Sequence, residues 1–376
     1  MSKLLTQGGF GCVYYPGIQC DGTPNLSKKV ITKLQNKGIS AENEIIIGKM
    51  ITKINNFQLF FSPIIKSCSV NLANIDKHLL NTCEIINKNK EQQYIILDVP
   101  YIDGNSIIEL IAQLSKKGLM ITIFETYQFL LGSIELLLEN KIVHFDLKRD
   151  NILYEKTTNH PILIDFGISL PIDKINRKNI GNYLYVYAPD YYLWPIDVHI
   201  ICFLLHKTDT KLTKNDAIAI ASEYTDNNKV LGIFSDRFKH DYKQFCIEVI
   251  EQYVDKDRNE VIDKLMTTYS SWDNYAISIL YLNLFFFLFS NGYHKNELFI
   301  FFSQILLINI SPDFTKRMTI EETRNKFSDI FYSNDNTWTY FDFVEAFDYN
   351  ETTVTNKIKA ELKSLNNILL HQTKKR

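Results

Sequence analysis

The chain has 376 residues, of which 45% are hydrophobic and 22% are charged, and its formal net charge is −2. A chain of this length and composition can bury one or two sizeable cores, so it is not, as a whole, a disordered tail. A net charge this close to zero gives no general electrostatic reason to expect nucleic acid or an anionic membrane as a partner.

The first predicted elements are two short strands around a glycine cluster at residues 6–13. Glycines allow the backbone to turn tightly and bring N–H groups close to phosphate oxygens, although a plain hairpin turn gives the same pattern. Residues 28–34 then form a strand-like run that contains Lys33. Residues 41–54 repeat apolar side chains at helical spacing, so they predict an amphipathic helix.

Later elements are more apolar. Residues 94–99 predict a strand, which a bend separates from a helix at residues 107–114, and residues 124–138 predict a core helix. The most apolar stretch, residues 275–289, is shorter than the ~20 residues that a membrane span needs and includes polar side chains. It therefore predicts a buried helix, and we expect no membrane span.

Two polar loops in the middle of the chain each follow an apolar run. Residues 142–151 read IVHFDLKRDN, and Asp165 begins a D-F-G triplet. Asp146 could accept a proton from an attacking hydroxyl, and Lys148 offers a fixed positive charge to a phosphoryl group in transfer. Asn151 and Asp165 offer the hard oxygen ligands that Mg²⁺ prefers. The cluster therefore suits metal-bound phosphate.

These loops resemble the catalytic loop and the D-F-G segment of eukaryotic-type serine/threonine protein kinases, and the resemblance covers residues 5–190 and 272–330. It implies an α+β, bilobal protein-kinase-like fold. A small β-rich N-lobe would span residues 1–98, a larger helical C-lobe residues 99–332 and a C-terminal tail residues 333–376. It also implies ATP and Mg²⁺ as cofactors and a protein substrate with serine or threonine.

The resemblance assigns roles in the N-terminal half. Lys33 would hold the α- and β-phosphates and pair with Glu44, although Glu42 is a competing choice. Thr6 stands where the family's Gly-rich loop has its first glycine, and Ile31 stands where the family has alanine. The residues implied to contact the nucleotide are Thr6, Gly8, Gly9, Phe10, Gly11, Val13, Ile31, Lys33, Pro100, Tyr101, Ile102 and Leu153.

Pro100, Tyr101 and Ile102 would form the hinge between the lobes, with Val99 as the gatekeeper. An alternative register makes Asp98 the hinge acid. Leu153 would form the floor beneath adenine.

Two positions bear on control and specificity. Phe145 replaces the family's arginine that receives a phosphorylated activation loop, so we expect activity that does not depend on that phosphorylation. Lys148 marks serine/threonine specificity in the family, whereas residues 181–187 lack the threonine that such kinases place there.

The end of the domain contains one open choice. Asp190, in an A-P-D triplet that resembles A-P-E, would pair with Arg317. Either Asp197 or Asp273 could begin the buried central helix, and the distance to Arg317 favours Asp273. Residues 191–271 would then be a helical insertion. Such an insertion, together with the G-F-G-C-V-Y start and an abundance of Asn, Ile and Lys that suggests an A+T-rich genome, resembles the kinases of large cytoplasmic DNA viruses.

The six cysteines are scattered, and the N-terminus lacks the pattern of a signal peptide. Cys12 and Cys20 could pair or bind metal, but we expect ordinary thiols because partners at ligand spacing are missing. This predicts a reducing, cytoplasmic location, which for a viral protein would be the host cytoplasm or the virion.

Two other classes of function fit the same residues. A catalytically weak pseudokinase would act as a binding module, and a small-molecule kinase would keep the phosphate site without the peptide-docking elements. Because Lys33, Glu44, Asp146, Asn151 and Asp165 are all present, the sequence favours an active protein kinase.

Overall fold

The structure, a computed structural model, describes residues 2–8, 11–88, 93–114, 116–207, 211–290 and 297–332. Gly9 and Phe10, two of the predicted nucleotide-binding residues, lie outside the described residues, as does the whole predicted tail at residues 333–376.

Contacts within the chain divide it into two compact units. The first contains Met1–Gly104, Leu136–Asp146 and Asn151–Ile175, and the second contains Asn105–Glu135, Leu147–Asp150 and Asn176–Arg376. Most of the two central loops therefore belongs to the first unit by contact. The lobe boundaries drawn from the family resemblance differ from this division and stay a prediction.

The first unit is rich in strands. Its elements in chain order are β1 (Lys3–Gln7), β2 (Gly11–Tyr15), β3 (Val30–Asn36), α1 (Ile39–Ile51), β4 (Phe61–Ser62), β5 (Lys66–Val70), α2 (Lys77–Asn81), α3 (Glu84–Lys88), β6 (Tyr94–Pro100), β7 (Gly104–Asn105, whose second residue belongs to the other unit), β8 (Ile142–Val143), β9 (Ile152–Glu155), β10 (Pro161–Ile164) and β11 (Leu170–Pro171). The strands at residues 28–34 and 94–99 were predicted to within two residues, and the helix that became α1 to within three.

The main sheet is antiparallel, with the order β1-β2-β3-β6-β5. Its register places Lys33 between Val13 on one side and Leu97 on the other. Cross-strand partners share a face of a sheet, so these three side chains lie on the same face. That face packs on α1, because Leu97 and Ile95 cluster with Ala41 of α1.

Short strands place the two central loops. β8 pairs with β11, while β10 pairs antiparallel with β9 and parallel with β4. Asp146 follows β8, Asn151 precedes β9, and Asp165 directly follows β10. The ends of these strands therefore hold the three side chains in one part of the first unit.

The second unit is helical. Its helices are α4 (Ile107–Ile111), α5 (Lys116–Glu139, with its last turn in the first unit), α6 (Ile180–Tyr183), α7 (Ile196–His206), α8 (Lys214–Asn227), α9 (Asp236–Glu251), α10 (Arg258–Met266), α11 (Trp272–Ser290), α12 (Glu297–Asn309) and α13 (Ile320–Tyr332). Together, the β-rich first unit and the helical second unit confirm the predicted α+β class.

Aromatic rings form much of the core of this second unit. The ring of Tyr127 on α5 lies 4.6 Å from Phe302 of α12, 4.8 Å from Tyr281 of α11 and 5.0 Å from Phe327 of α13. The apolar stretch at residues 275–289 is therefore part of a buried core helix, as predicted. Within the described residues, the stretch Ile121–Glu139 of α5 has the length and composition of a membrane span, but 56% of that window is buried, as in a core helix.

The predicted pairing of Arg317 with Asp190 is wrong, because Arg317 pairs with Asp197. Its guanidinium donates a 2.6 Å hydrogen bond to the Asp197 carboxylate on α7, and both side chains are almost fully buried. Trp272 and Thr268 donate further hydrogen bonds to Asp197. Asp190 is exposed, whereas the buried guanidinium of Arg317 pairs with the buried carboxylate of Asp197. Because Asp197 is committed to Arg317, Asp273 stays our prediction for the aspartate that begins the buried central helix.

We expect Arg317→Met to destabilise the protein by about 3–5 kcal/mol, because it leaves the Asp197 charge buried without a partner. The double variant Asp197→Leu/Arg317→Met should lose clearly less. Arg177→Met, which breaks an exposed pair with Asp263, is the control and should change little. Urea unfolding of the variants gives the comparison, and equal losses for the single and double variants would contradict this account.

Two disulfides replace the free thiols that the sequence predicted. Cys12 on β2 is bonded to Cys83 between α2 and α3, and Cys20 is bonded to Cys68 on β5. The bonded partners are 71 and 48 residues apart in the chain, so only the folded sheet brings them together. Disulfides persist in oxidising environments, so these bonds oppose the expectation of a reducing compartment.

We expect protein purified without reductant and denatured in iodoacetamide to show two alkylated cysteines, Cys202 and Cys246. Removing either disulfide should cost about 2–5 kcal/mol, because each closes a long loop. Reductant should therefore lower the melting temperature. A variant with serine at positions 12, 20, 68 and 83 is the control, since its melting temperature should not respond to reductant. Alkylation of all six cysteines before reduction would contradict the two bonds.

Candidate active site

The loop around His144 joins the two central motifs. The His144 ring lies in the protein interior, donates from Nε2 to the carbonyl of Ile164 at 3.1 Å and accepts the Asp146 amide at Nδ1 at 3.3 Å. Phe145 and Asp165 have positive φ values of 66° and 60°, so the backbone turns sharply in both loops. Such strain is typical of functional sites.

Asp146 and Asn151 are directly bonded. The Asn151 side-chain nitrogen donates to the Asp146 carbonyl at 2.9 Å and to the Asp146 carboxylate oxygen Oδ2 at 2.8 Å. Both residues are buried, so these bonds are protected from water. Because both amide protons point at Asp146, the Asn151 oxygen is the atom that could bind a metal.

Lys33 lies between two carboxylates. Its ammonium is 2.9 Å from Glu44 and 3.1 Å from Asp165. The Glu44 side chain is only 4% exposed, whereas 45% of the Asp165 side chain is exposed. The structure therefore contains the Lys33–Glu44 pair that we expected, and Glu42, the competing choice, is exposed on the surface of α1.

The charges of Lys33 and Asp165 stabilise each other, whereas burial raises the pKa of Glu44. Burial alone would lower the pKa of Lys33, but Glu44 and Asp165 outweigh burial and raise it. Burial would raise the pKa of Asp165, but Lys33 and the Gly167 amide outweigh it and hold that pKa below its ordinary value. Lys33 is therefore cationic and Asp165 anionic at neutral pH.

The donor set fits magnesium. Mg²⁺ is usually held by one or two carboxylates, with water and phosphate oxygens completing the shell. One Asp165 oxygen contacts Lys33, and the exposure of the side chain leaves room for a ligand at the other. Asn151 would add one neutral oxygen. Within the described residues there is no group of three or more His, Cys, Asp or Glu side chains of the kind that holds a metal without phosphate.

The two glycines in the described part of the glycine loop, Gly8 and Gly11, differ in the space around them. A Cβ on Gly11 would lie 2.4 Å from the Leu34 carbonyl, so a side chain there would disrupt the β2–β3 pairing. A Cβ on Gly8 would meet nothing within 4 Å, which fits a position that a phosphate could approach. Thr6 pairs with Val13 across the strands and is exposed.

The predicted adenine contacts are half-buried. Val13, Ile31 and Leu153 lie on β2, β3 and β9, and Ile31 faces Val99 across the sheet. A Cβ on Gly104 would come within 3.1 Å of Leu153, so the chain after β6 runs close to the predicted floor. Their roles stay a prediction.

Two backbone groups of the predicted hinge, Pro100–Ile102, already form hydrogen bonds within the protein. Ser62 donates to the Pro100 carbonyl at 2.8 Å, and the Tyr101 amide donates to Lys29 at 2.8 Å. A carbonyl has two lone pairs, so Pro100 could still accept a bond from adenine. Ile102 is half-buried next to these two residues.

Lys148 is half-buried and belongs to the second unit. Its role in neutralising a migrating phosphoryl group stays a prediction. Phe145 is 4% exposed, so an apolar ring in the core stands where the family has its phosphate-binding arginine.

Sequence reasoning missed the polar neighbours that support the site. Asn43 precedes Glu44 on α1 and donates to the Ser169 carbonyl at 2.8 Å, while the Ser169 hydroxyl donates to the His144 carbonyl at 2.9 Å. Gln35, on β3 beyond Lys33, is 3.5 Å from Glu44. The available signal was the presence of polar residues at positions whose periodicity predicts burial.

The family model for the protein kinase domain matches residues 2–193. A relative from Mycoplasma genitalium, whose name places it among the serine/threonine-protein kinases, is 28% identical over 193 residues, or 47% of this chain and 46% of the relative. The carbon catabolite-derepressing protein kinase of Saccharomyces cerevisiae is 28% identical over 182 residues, or 48% of this chain and 24% of that protein. The matched region thus spans about half of the first relative and a quarter of the second.

Proposed function

Because the chain belongs to the protein kinase domain family, we propose that it transfers the γ-phosphoryl group of ATP, bound with Mg²⁺, to serine or threonine hydroxyls of a protein substrate. One observation carries the proposal. The first unit holds Lys33 against Glu44 and Asp165, and it holds Asn151 against Asp146, which supports a site for phosphoryl transfer. A degenerate family member would be expected to have lost at least one of these groups.

Each residue has a chemical task in this proposal. Lys33, oriented by Glu44, would hold the α- and β-phosphates, and Asp165 and Asn151 would hold Mg²⁺. The metal, when bound, would neutralise charge on the phosphate oxygens. Asp146 would orient the substrate hydroxyl and accept its proton, because Asn151 fixes its carboxylate. Lys148 would stabilise the charge that develops on the transferred group.

The proposal of a protein substrate is based on resemblance to the kinase family. Lys148 two residues after Asp146 favours serine or threonine, and the relative from Mycoplasma genitalium carries a name of that class. Residues 181–187 lack the usual threonine, and α6 covers residues 181–183 of this segment, so a small-molecule substrate is the alternative that the experiment must exclude.

We also propose that the activity does not require phosphorylation of the activation segment. Residues 177–187 are already attached within the second unit. Arg177 donates to Asp263 at 2.9 Å, His206 donates to the Tyr185 carbonyl at 2.8 Å, and Tyr187 donates to Glu223 at 2.9 Å. These contacts, together with the apolar Phe145, leave little need for an arginine–phosphate bond.

We also propose an origin and a location. The predicted insertion at residues 191–271 and the abundance of Asn, Ile and Lys support a kinase like those of large cytoplasmic DNA viruses, located in the host cytoplasm or the virion. Of these two locations the disulfides favour the virion, because disulfides persist in oxidising environments. The relatives described above come from bacteria and yeast.

We expect the protein to label generic proteins on serine or threonine with Mg²⁺ and labelled ATP. Asp146→Asn should lower kcat by about 10²–10⁴-fold, because it removes the proton acceptor, while the increase in melting temperature caused by ATP and Mg²⁺ is retained. Asp165→Ala should lose both. Label found only in small molecules would support the alternative substrate class, and wild-type protein that shows neither label nor a melting shift would support a binding module.

Independence of phosphorylation has its own test. Protein treated with phosphatase, and shown by intact mass to carry no phosphate, should phosphorylate its substrate at the rate of the untreated protein. A large loss of rate that preincubation with ATP restores would show that the activation segment needs phosphate after all.

A further inference from the structure

Two kinds of contact hold helix α1, which carries Glu44, within the first unit. The apolar contact joins Ala41 to Ile95 and Leu97 of the sheet. Such packing favours burial of that face but is non-directional, so it does not fix the rotation of the helix closely. Beyond the bonds that Glu44 itself makes, the polar contacts include the 2.8 Å hydrogen bond from the Asn43 side chain to the Ser169 carbonyl and a longer one, 3.5 Å, from Ser40 to the Gly167 carbonyl.

The Asn43 bond is directional and shielded. Asn43 is 7% exposed and Ser169 is fully buried, so water cannot replace the bond when it breaks. Asn43 is adjacent to Glu44 in the chain, so a rotation of α1 that breaks this bond also moves the Glu44 carboxylate away from Lys33. The position of one side chain is thereby linked to the other.

The acceptor is itself fixed. The Ser169 amide donates to the Phe166 carbonyl at 3.2 Å, and its hydroxyl donates to the His144 carbonyl at 2.9 Å. The next residue, Leu170, pairs with Val143 in the β8–β11 ladder. Asn43 therefore binds a segment that also positions Asp165 and is tied to the loop of Asp146.

Asn43 is not placed there for stability alone. Its side-chain oxygen is buried and has no hydrogen-bond partner among the described residues. A half-satisfied buried amide stabilises a fold less than an apolar side chain of the same shape can. An apolar residue here would avoid the unpaired amide oxygen but would leave the buried Ser169 carbonyl without this donor, so the asparagine serves that one contact.

We propose that Asn43 is a positioning residue, which acts through Ser169 to hold α1 so that Glu44 keeps Lys33 at its place beside Asp165. The proposal rests on the proposed function, because it concerns the same phosphoryl-transfer site. The family resemblance did not assign Asn43 any role. With Phe145 in place of the phosphate-binding arginine, this internal bond takes over part of the task of fixing α1.

The consequence concerns Asp165. When Glu44 is displaced, the Lys33 ammonium keeps Asp165 as its nearest carboxylate and pairs with it more closely. Lys33 then competes with Mg²⁺ for that carboxylate. Loss of the Asn43 bond should therefore lower kcat and raise the Mg²⁺ concentration that gives half the maximal rate, an effect that a purely structural role would not produce.

The test uses Asn43→Leu in the full chain, since leucine has a similar volume and no donor. We expect kcat to fall by about tenfold or more through misplacement of Glu44, together with a severalfold rise in the Mg²⁺ requirement. The melting temperature should fall, because the buried Ser169 carbonyl loses its donor, so kcat and the Mg²⁺ requirement are the deciding readouts. Glu42→Gln, at an exposed position next to Asn43, is the matched control and should match the wild type.

A double-variant cycle with Glu44→Gln separates the routes. If Asn43 acts through Glu44, Asn43→Leu should have little further effect on kcat in the Glu44→Gln background. Wild-type kcat and Mg²⁺ requirement in Asn43→Leu, or kcat losses that simply multiply in the double variant, would overturn the proposal. If Asn43→Leu does not fold, Asn43→Ser, which is too short to reach Ser169, is judged by the same outcomes.

Hydrogen exchange keeps this proposal separate from the proposed function. Amides of α1 should exchange faster in Asn43→Leu than in the wild type, while those of α11 should be unchanged. Faster α1 exchange in a protein that transfers no phosphate would support the positioning role and reject the proposed function. Unchanged α1 exchange would reject the positioning role whatever the activity.

Discussion

The ammonium of Lys33 is the charge around which the first unit is arranged. It is largely buried, so it is stable only because Glu44 and Asp165 lie within 3.1 Å of it. Each carboxylate comes from a different element, α1 or the loop after β10. A single ion cluster thus requires the sheet, the helix and the loop to take one relative position, and this requirement explains the polar bonds around it.

Those surrounding bonds follow a common pattern. His144, Asn43 and Ser169 each connect two segments that bear the predicted chemistry, and each is buried. Buried hydrogen bonds contribute modestly to net stability but are costly to leave unmade, so they select one arrangement among several compact ones. In this site, geometry is specified by polar bonds, whereas the bulk of the burial free energy comes from the apolar faces of the sheet.

In the second unit, aromatic packing rather than a network of polar bonds makes up much of the core. Its core is built from aromatic rings of α5, α11, α12 and α13, with one buried ion pair between Asp197 and Arg317. Arg317 also lies over the ring of Tyr275. Residues 177–187 are bonded to α7, α8 and α10 through Tyr185–His206, Tyr187–Glu223 and Arg177–Asp263, so polar contacts also fix this segment within the second unit.

Local spacing and residue chemistry were enough to predict the family, the α+β class and the amphipathic and core helices. They also picked out the candidate site residues, which are Lys33, Glu44, Asp146, Asn151 and Asp165. Tertiary structure alone decided the partners. Arg317 took Asp197 rather than Asp190, and Cys12 took Cys83, since burial and proximity in space choose among residues far apart in the chain. The partner of Asn43 also depends on tertiary structure. Asn43 donates to the backbone carbonyl of Ser169, and every residue has such a carbonyl, so the residue type of the acceptor could not indicate the bond.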